Sequence, residues 1–571
     1  MTGASPAPGE LSSLLAAVSG LRDQVAASRL PLALPDAPAA AKVRVDLLQQ
    51  LDDYVIPRLQ SLEAPLLAVV GGSTGAGKST LVNSLVGHQV TKPGVLRPTT
   101  RSPVLVHHPS DERWFIDTRV LPGLARVRGN DQTDDPSAVR LVSTEALPAG
   151  LALLDAPDID SVVAANRDLA AQLLSAADLW LFVTTAARYA DAVPWALLRQ
   201  ASERGTSVAI ILDRVPAEAV GEIRDHLTSM LKEQGLALAP LFPIPEVVLA
   251  PGGLLGPDEI GRLKGWLTAL ANDSRARALV VRHTLSGALD SIDSRIAILA
   301  EATGEQQAAT NALARVAEAA YAEAVEQVRA GMLDGTLLRG EVLSRWQEFV
   351  GTGEFFKQVE SVVSRVRDRI TAAVKGAPAP GQHLGEALHS GVAALVSAHA
   401  QTAASQVARS WRGMPGGQVL LDGSPALVST STDLTPKVET LVREWQDDVL
   451  DLVRNEGRDR RTTAKVAAYG VNGLGVVLML VTFAHTAGLT GAEAGIAGGT
   501  AILGQKLLEA IFGDQAVRSL AAKARAALLE RVEDLYAVEI KRFHSAIDEV
   551  AVARDQGRKL SAAALNVRAA R

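Results

Sequence analysis

A glycine-rich stretch near the amino-terminal side of the chain has the residue types and spacing of a phosphate-binding loop. Residues 72–79 fit the pattern G-x-x-x-x-G-K-[ST] in full. The N–H groups of such a loop converge on phosphate oxygens, and the following helix adds the positive end of its dipole. We expect Lys78 to reach the β- and γ-phosphates of a nucleotide and Ser79 to bind Mg²⁺. The other predicted nucleotide contacts in this loop are Gly72, Ser73, Thr74, Gly75, Ala76, Gly77 and Thr80.

Two later stretches offer the groups that would complete a triphosphate site. In P-loop GTPases a threonine about twenty residues after the loop contacts Mg²⁺ and the γ-phosphate. The run "GVLRPTTRSPVLV" supplies Thr100 for this role, with Thr99 as the second choice. An ordinary polar loop before a strand is the alternative. The apolar run "LALLDAPDID" ends in Asp155, which would hold Mg²⁺ through water, unless it only caps a turn. Asp158 stands where a glycine usually donates its N–H to the γ-phosphate.

The stretch that should recognise the base departs from the usual guanine pattern. A guanine site ends a strand with Asn/Thr-Lys-x-Asp, whereas "SVAIILDRVP" offers Asp213, Arg214, Val215 and Pro216. Arg214 can replace the lysine, whose stem packs over the ring, but Pro216 has no carboxylate to accept hydrogen bonds from guanine. Whether Asp213 reads the base instead is left open, and so is the choice between guanine and adenine.

The elements that must position these residues are strands alternating with helices. Short apolar runs separated by helical patterns predict a mostly parallel, doubly wound α/β sheet between residues 64 and 265. The predicted strands are "PLLAVV", "LALLDAP", "LWLFVTT", "SVAIILD" and "EVVLAP". After residue 266 apolar residues recur at alternating spacings of four and three, which predicts long packed helices in a bundle or stalk. A compact helical domain with no mechanical role is the alternative.

A long apolar tract lies within the helical half. Residues 466–484 contain one strongly polar residue, Asn472, and a second stretch, 488–504, is rich in glycine and alanine but carries Glu493. About 20 apolar residues span a bilayer, and basic residues flank the tract only on its outer sides. We predict a membrane-inserting helical hairpin, as a full double span or a re-entrant hairpin. The alternative is a buried hairpin in a soluble bundle.

Taken in order, these motifs resemble the dynamin family of large GTPases, in particular membrane-anchored bacterial dynamin-like proteins of the actinobacterial type. The resemblance rests on "PTTRSPV", "LLDAPDID" and "ILDRVP", between residues 66 and 216. It implies GTP/GDP and Mg²⁺ as ligands, GTP hydrolysis, nucleotide-dependent dimerisation and membrane remodelling. The glutamine that positions water in many dynamins would fall at Thr74. Turnover is therefore expected to be slow, to need a partner, or to use a water held by the backbone.

The resemblance also implies a division of the chain. The predicted segments are a disordered start (1–10), N-terminal helices packing with the stalk (11–63), a P-loop GTPase domain (64–265), a helical bundle or stalk (266–465), the membrane hairpin (466–504) and C-terminal helices returning to the bundle (505–571). The GTPase and helical domains are expected in the cytoplasm, anchored to the inner (plasma) membrane. The lipid bilayer, further copies of the chain, a second dynamin-like protein and divisome components are the expected partners.

Composition narrows the function classes. The net charge of −6 provides no general attraction to nucleic acid, and the absence of cysteine excludes disulfides, thiolate metal sites and a cysteine nucleophile. The first residues lack the pattern of a secretory signal. A membrane-remodelling GTPase, at the division septum or under envelope stress, is the favoured function. The alternatives are a nucleotide-binding membrane scaffold with negligible turnover and an ATP-using P-loop protein of a membrane complex.

Overall fold

The computed structural model of the protein describes most of the chain in two compact units. The described residues are 8–91, 102–117, 119–128, 135–161, 163–333, 337, 342, 344–345, 380–457, 471–483 and 497–571. The first unit comprises residues 1–30, 35–304 and 553–571, and the second comprises residues 31–34 and 305–552. These limits differ from the predicted segments, since the first unit extends beyond residue 265 and includes helices from both ends of the chain.

An eight-stranded sheet forms the centre of the first unit. Its strands are β1 (Leu66–Gly72), β2 (Val104–His107), β3 (Ala125–Arg128), β4 (Ala138–Ser143), β5 (Leu151–Asp155), β6 (Leu179–Thr185), β7 (Ser207–Val215) and β8 (Leu241–Pro245). They lie in the order β3-β4-β2-β5-β1-β6-β7-β8. Neighbouring strands are parallel except for β2 and β5. The predicted mostly parallel α/β sheet is therefore confirmed.

Helices cover both faces of the sheet. The helices of the chain up to residue 333 are α1 (Pro8–Ala27), α2 (Ala37–Gln50), α3 (Ile56–Gln60), α4 (Lys78–Val86), α5 (Ala164–Ser175), α6 (Ala192–Glu203), α7 (Val220–Glu233), α8 (Pro257–Asn272), α9 (Ser274–Asp290) and α10 (Ile292–Leu333). On one face, Leu67 and Val69 pack with α5, α6 and α7. On the other, Ala68 and Val70 pack with α4 and α8. Burial on both faces explains why the strands are continuous apolar runs.

The last predicted strand, "EVVLAP", is wrong in position. The edge strand β8 instead covers residues 241–245, and Val248 is 98% exposed. The N–H of Glu246 donates to the Val215 carbonyl oxygen at 3.0 Å, which ends the pairing with β7. Pro243 and Pro245 lie within β8 and discourage a strand assignment from sequence, but an edge strand tolerates proline because one side needs no N–H donors. The short strands β3 and β4 were not predicted.

The second unit is helical. Its helices after α10 are α11 (Pro380–Arg412), α12 (Gly417–Gly423), α13 (Leu434–Glu456), α14 (Val471–Thr482), α15 (Ala497–Phe512) and α16 (Asp514–Glu549). Two buried aromatic side chains of this core donate hydrogen bonds to main-chain carbonyl oxygens. The Trp445 indole donates to the Ala524 carbonyl oxygen at 2.8 Å, and the Tyr536 hydroxyl donates to that of Val396 at 2.7 Å. The predicted helical body is therefore confirmed as well.

The described part of the predicted membrane hairpin lies in this second unit. Leu478, Leu480 and Phe483 are buried in its apolar core, and Gly475 lies so close to Leu450 that an added Cβ would be 2.4 Å from a Leu450 methyl carbon. Residues 466–470 and 484–496 of the prediction lie outside the described residues. Among the residues that the structure describes, no helix has the length and apolar character needed to span a bilayer.

A final helix, α17 (Gln556–Ala569), belongs to the first unit. Its buried residues Leu560 and Val567 share an apolar cluster with Val18, Leu21 and Val25 of α1. The two helices thus pack in a core that they share with α2, α3, α9 and α10 and that is separate from the two clusters on the faces of the sheet.

Candidate functional site

The phosphate loop connects β1 to α4, as the sequence predicts. Gly75 and Gly77 have φ values of +74° and +90°, in the left-handed region that favours glycine. Gly72 approaches the neighbouring strand closely, because a Cβ there would lie 2.0 Å from the Val183 carbonyl oxygen. The helix begins at Lys78. Gly75 and Gly77 therefore allow the loop to curl, and Gly72 allows it to pack against β6.

Lys78 lies within the loop, and its ammonium is fully bonded. Its Nζ donates to the carbonyl oxygens of Gly72 at 2.9 Å and Ser73 at 3.1 Å. Its third partner is the carboxylate of Asp158, and the Lys78 side chain is only 6% exposed. The Ser73 hydroxyl is buried nearby without a hydrogen-bond partner. The charge at the centre of the loop is thus paired within the protein.

Asp155 and Ser79 meet at the end of β5. The Ser79 hydroxyl donates to Asp155 Oδ2 at 2.8 Å, and so does the Thr91 hydroxyl at 2.8 Å. Asp155 is fully buried, and burial raises the pKa of its carboxyl despite these hydrogen bonds. Its Oδ1 is buried without a hydrogen-bond partner. A buried carboxylate with a free oxygen beside a serine hydroxyl fits the oxygen ligands that Mg²⁺ prefers.

The described residues offer few side-chain ligands for such an ion. Among the described residues there is no group of three or more His, Cys, Asp or Glu side chains that could hold a metal by themselves. A Mg²⁺ ion bound by Ser79 and Asp155 would take its other ligands from phosphate and water, as is usual for this ion. When bound, it would neutralise phosphate charge.

Thr91 is a contact that the sequence reading missed. Asn83 of α4 holds this segment, because its Oδ1 accepts from the N–H groups of Val90 at 2.8 Å and Thr91 at 2.9 Å. The Thr91 hydroxyl is thereby aimed at Asp155. The predicted threonines Thr100 and Thr99 lie outside the described residues. An asparagine inside a helix, eight residues before a threonine, is too weak a signal to find this contact.

A second polar network lies on the other side of the loop. The Thr74 hydroxyl donates to Asp160 Oδ1 at 2.7 Å, and the Thr74 N–H donates to the same oxygen at 2.5 Å. Arg188 donates to Asp160 Oδ2 at 2.9 Å and to the Thr74 carbonyl oxygen at 3.1 Å. Although burial opposes it, the bonds from Thr74 and Arg188 lower the pKa of Asp160. Thr74 is therefore fixed at both its main chain and its side chain.

Asp160 and Arg188 were also missed. Asp160 follows Asp155 by five residues, and Arg188 follows the carboxyl end of β6. In open parallel sheets ligands bind beyond the carboxyl ends of the strands. Asp160 and Arg188 could therefore have been found by searching for polar residues just after each predicted strand.

Asp213 lies against the phosphate loop. A Cβ on Gly77 would come 2.5 Å from Asp213 Oδ2, and burial raises the pKa of the Asp213 carboxyl. Arg214 has a φ of +53° and a half-exposed side chain whose Nε lies 3.8 Å from Asp213 Oδ2. The negative charge of Glu246 also contributes to the raised pKa of Asp213. The end of β7 thus brings Asp213 and Arg214 to the same edge of the sheet as the loop.

No family model matches the chain. Over 216 residues the chain is 23% identical to a probable transmembrane GTPase FZO-like, chloroplastic, from Arabidopsis thaliana. That alignment covers 36% of this chain and 22% of the relative, so the chain matches about a fifth of that protein's length.

Solved structures extend the comparison to most of the chain. An oligomerised bacterial dynamin pair, described as a mechanism for long-range sensing and tethering of membranes, is similar over 92% of this chain and 95% of its own, with 8% identity and a TM-score of 0.40. The chain resembles bacterial dynamin-like GTPases. Bacterial dynamins are also the family that the sequence motifs resemble.

A structure of the GTPase Era matches about a third of the chain. An Era variant from Aquifex aeolicus bound to GDP and tetrafluoroaluminate is similar over 36% of this chain and 56% of its own, with 21% identity and a TM-score of 0.24. The Era match spans about a third of this chain, whereas the match to the bacterial dynamin pair spans most of it.

Proposed function

We propose that the protein is a dynamin-like GTPase that binds GTP and GDP with Mg²⁺ and hydrolyses GTP. The observation that carries the proposal is the contact between Ser79 and Asp155, 2.8 Å apart, at the start of a helix whose first residue is the buried Lys78. In P-loop NTPases this arrangement lets the serine of the phosphate loop and the aspartate at the end of a strand hold the same Mg²⁺ ion beside the nucleotide phosphates.

Each residue has a proposed role in this function. Lys78 neutralises the phosphates, Ser79 and Asp155 hold Mg²⁺, and Thr100 closes over the γ-phosphate when nucleotide is bound. The N–H groups of residues 72–80 cradle the phosphate oxygens. Mg²⁺, when bound, supplies positive charge between the phosphates.

Guanine is the proposed base. The Arg214 stem is exposed at the end of β7, where it can lie over a ring, and Asp213 lies between it and the loop. The carboxylate of Asp213 is the proposed acceptor for guanine. The sequence relative named as a GTPase supports the same choice.

The membrane role is proposed from the apolar tract and the family resemblance. We infer that residues 466–504 insert into the inner (plasma) membrane, that copies of the chain assemble through the GTPase and helical segments, and that hydrolysis remodels or stabilises the membrane. The division septum and envelope stress are the proposed settings. A second dynamin-like protein or divisome components are the proposed partners.

Phosphate release is the test of the enzymatic proposal. Full-length protein in liposomes is given GTP or ATP, with Lys78→Ala as the inactive variant. Lys264→Ala is the matched control, since Lys264 is an exposed lysine of α8. GTP-selective release that Lys78→Ala abolishes and Lys264→Ala retains supports the GTPase. Equal use of ATP, or release unchanged in Lys78→Ala, contradicts it.

A nucleotide-binding membrane scaffold is the second candidate. It is favoured by Thr74, which stands where many dynamins have a glutamine and whose hydroxyl is already bonded to Asp160. GTP-dependent sedimentation of the protein into assemblies, without phosphate release, identifies this second function.

A further inference from the structure

Two hydroxyl groups donate to the same oxygen of Asp155. The Ser79 and Thr91 hydroxyls each lie 2.8 Å from Asp155 Oδ2, whereas Oδ1 is buried without a hydrogen-bond partner among the described residues. Because a carboxylate oxygen accepts about two hydrogen bonds, Oδ2 is fully engaged. The oxygen that remains for a water ligand of Mg²⁺ is therefore Oδ1.

Thr91 is itself held in place through its main chain. The Asn83 amide oxygen accepts from the Thr91 N–H at 2.9 Å, and the Asn83 Nδ2 donates to the Thr91 carbonyl oxygen at 2.8 Å. Arg140 donates to the carbonyl oxygen of Val90, the residue before Thr91. Asn83 is 1% exposed and Thr91 is 3% exposed, so these hydrogen bonds lie away from water, which strengthens them. The Thr91 hydroxyl thus approaches Asp155 from a fixed position.

Helix α4 positions both hydroxyls. Ser79 and Asn83 are four residues apart on this helix, so they lie on the same face of it. Ser79 donates directly to Asp155, whereas Asn83 acts through Thr91. These hydrogen bonds form a closed ring from the helix to the carboxylate and back to the helix. The helix that carries Lys78 therefore also fixes the plane of the Asp155 carboxylate.

We propose that Thr91 is a positioning residue for the Mg²⁺ ion of the nucleotide site. Its hydroxyl, together with that of Ser79, holds Asp155 so that one carboxylate oxygen is left for a water ligand of the ion. Without the Thr91 hydroxyl the carboxylate is held by a single hydrogen bond, and the ion is bound less tightly. Groups that orient metal ligands contribute about 10- to 100-fold to metal affinity. This inference rests on the proposed function, because it requires nucleotide and Mg²⁺ to bind at the loop.

The test compares serine and alanine in place of Thr91. Thr91→Ser and Thr91→Ala both lack the threonine methyl group, and they differ from each other only in the hydroxyl. Thr284→Ala is the matched control, because the buried Thr284 hydroxyl donates to the Asp178 carbonyl oxygen at 2.9 Å, just before β6 begins. The dissociation constant of a fluorescent non-hydrolysable GTP analogue is measured with the full chain over a series of Mg²⁺ concentrations and in EDTA.

Removal of the hydroxyl is expected to raise the requirement for Mg²⁺. The Mg²⁺ concentration that gives half of the gain in affinity should rise about tenfold in Thr91→Ala and less than about threefold in Thr91→Ser. In EDTA the wild type and both variants should bind the analogue equally, because the hydroxyl acts through the ion. Thr284→Ala should keep the wild-type requirement for Mg²⁺. An unchanged or lower requirement in Thr91→Ala, or an equal increase in Thr91→Ser, overturns the inference.

Thermal unfolding separates this role from a purely structural one. A hydroxyl that served only the fold would, when removed, lower the melting temperature by the same amount with and without Mg²⁺, and that result contradicts the inference. We expect instead that Mg²⁺ raises the melting temperature of the analogue-bound protein less in Thr91→Ala than in the wild type and Thr91→Ser. If the wild type and Thr91→Ala depend equally on Mg²⁺, the inference fails and the proposed function stands. If the wild type does not bind the analogue, or binds it equally well in EDTA, both fail.

Discussion

At the scale of single residues, some contacts of the phosphate loop are determined by adjacent residues and others by residues far apart in the sequence. The loop and Asp155 are readable from short motifs, because each contact depends on a few adjacent residues. Thr91, Asp160 and Arg188 are not, because their contacts depend on where separate loops return to the sheet. Sequence spacing alone does not bring Arg188 to Thr74, which lies 114 residues away along the chain.

Arg188 is expected to affect turnover more than nucleotide affinity. It fixes the Thr74 carbonyl oxygen and the Asp160 carboxylate, and Thr74 stands at the position of the dynamin glutamine. Arg188→Ala should lower the rate of phosphate release about 10- to 100-fold, because the groups around the γ-phosphate lose their fixed geometry. Single-turnover kinetics with GTP measures this rate.

A matched arginine controls for general effects of removing a charge. Arg224 is half-exposed and pairs with its neighbour Asp225. Arg224→Ala should leave both turnover and affinity unchanged. A loss of nucleotide affinity in Arg188→Ala as large as its loss of rate would instead show that Arg188 supports the fold of the loop.

Asp53, in the π-helical segment Leu51–Val55 between α2 and α3, should make stability depend on pH. Burial raises its pKa from 3.8 to about 6, with a smaller contribution from the charge of Asp52, although Gln172 donates to its Oδ2 at 3.1 Å. Its folded-state pKa exceeds the unfolded value, so stability falls as pH rises from about 4 to 6. Above that range the buried charge costs up to about 3 kcal/mol.

Asp53→Asn removes this cost and keeps an oxygen for Gln172. The free energy of unfolding should rise by about 1–3 kcal/mol at pH 7.5 and change little at pH 4. Urea unfolding at the two pH values measures the difference. An equal change at both pH values would contradict the assignment to Asp53 ionisation.

At the scale of elements, the sheet could be predicted where strands are buried on both faces and carry no proline. The runs that became β1, β5, β6 and β7 meet these conditions. The edge strand β8 contains two prolines, and β3 has an exposed and half-buried pattern, so neither gives a clear local signal. The position of an edge strand depends on the strand with which it pairs, and the hydrophobic pattern of its own sequence does not identify that partner.

The contact between α9 and the turn before β7 depends on two glycines. A Cβ on Gly287 would lie 2.5 Å from the Gly205 Cα, so the two backbones meet without side chains between them. Gly287→Ala should lower the free energy of unfolding by about 1–3 kcal/mol, even though alanine favours helix, because the backbones must separate. Thermal or urea unfolding of the full chain measures it.

Gly261 of α8 provides the control for helix propensity. An added Cβ there meets nothing within 4 Å. Gly261→Ala should therefore raise the free energy of unfolding by about 0.5–1 kcal/mol. If Gly287→Ala also stabilises the protein, the close approach of the backbones is not a constraint.

At the scale of the whole molecule, the first unit is built from three separated stretches of sequence. Its apolar cluster that contains α1 and α17 joins residues more than 500 positions apart along the chain. Helix periodicity predicts each helix but not its partner, since both helices have an apolar stripe that would suit many neighbours. The limits of the two units were for this reason beyond the reach of the sequence patterns.

Leu560 is the residue that tests this core. It is fully buried, whereas Leu565 on the same helix is 57% exposed. Leu560→Ala should lower the free energy of unfolding by about 2–5 kcal/mol, because it leaves a cavity. Leu565→Ala should change it by less than about 0.5 kcal/mol. Similar effects of the two substitutions, in equilibrium unfolding, would mean that α17 does not pack on α1.

The pairing of α1 with α17 also bears on how the protein is made. The ribosome completes α1 and the whole sheet long before residues 556–569 exist. Until then Val18, Leu21 and Val25 have no partner from α17, and this apolar stripe is open to chaperones and to other nascent chains. The synthesis of the first unit thus begins before that of the second unit and ends after it. The first unit can complete its fold only after the entire helical unit has been synthesised.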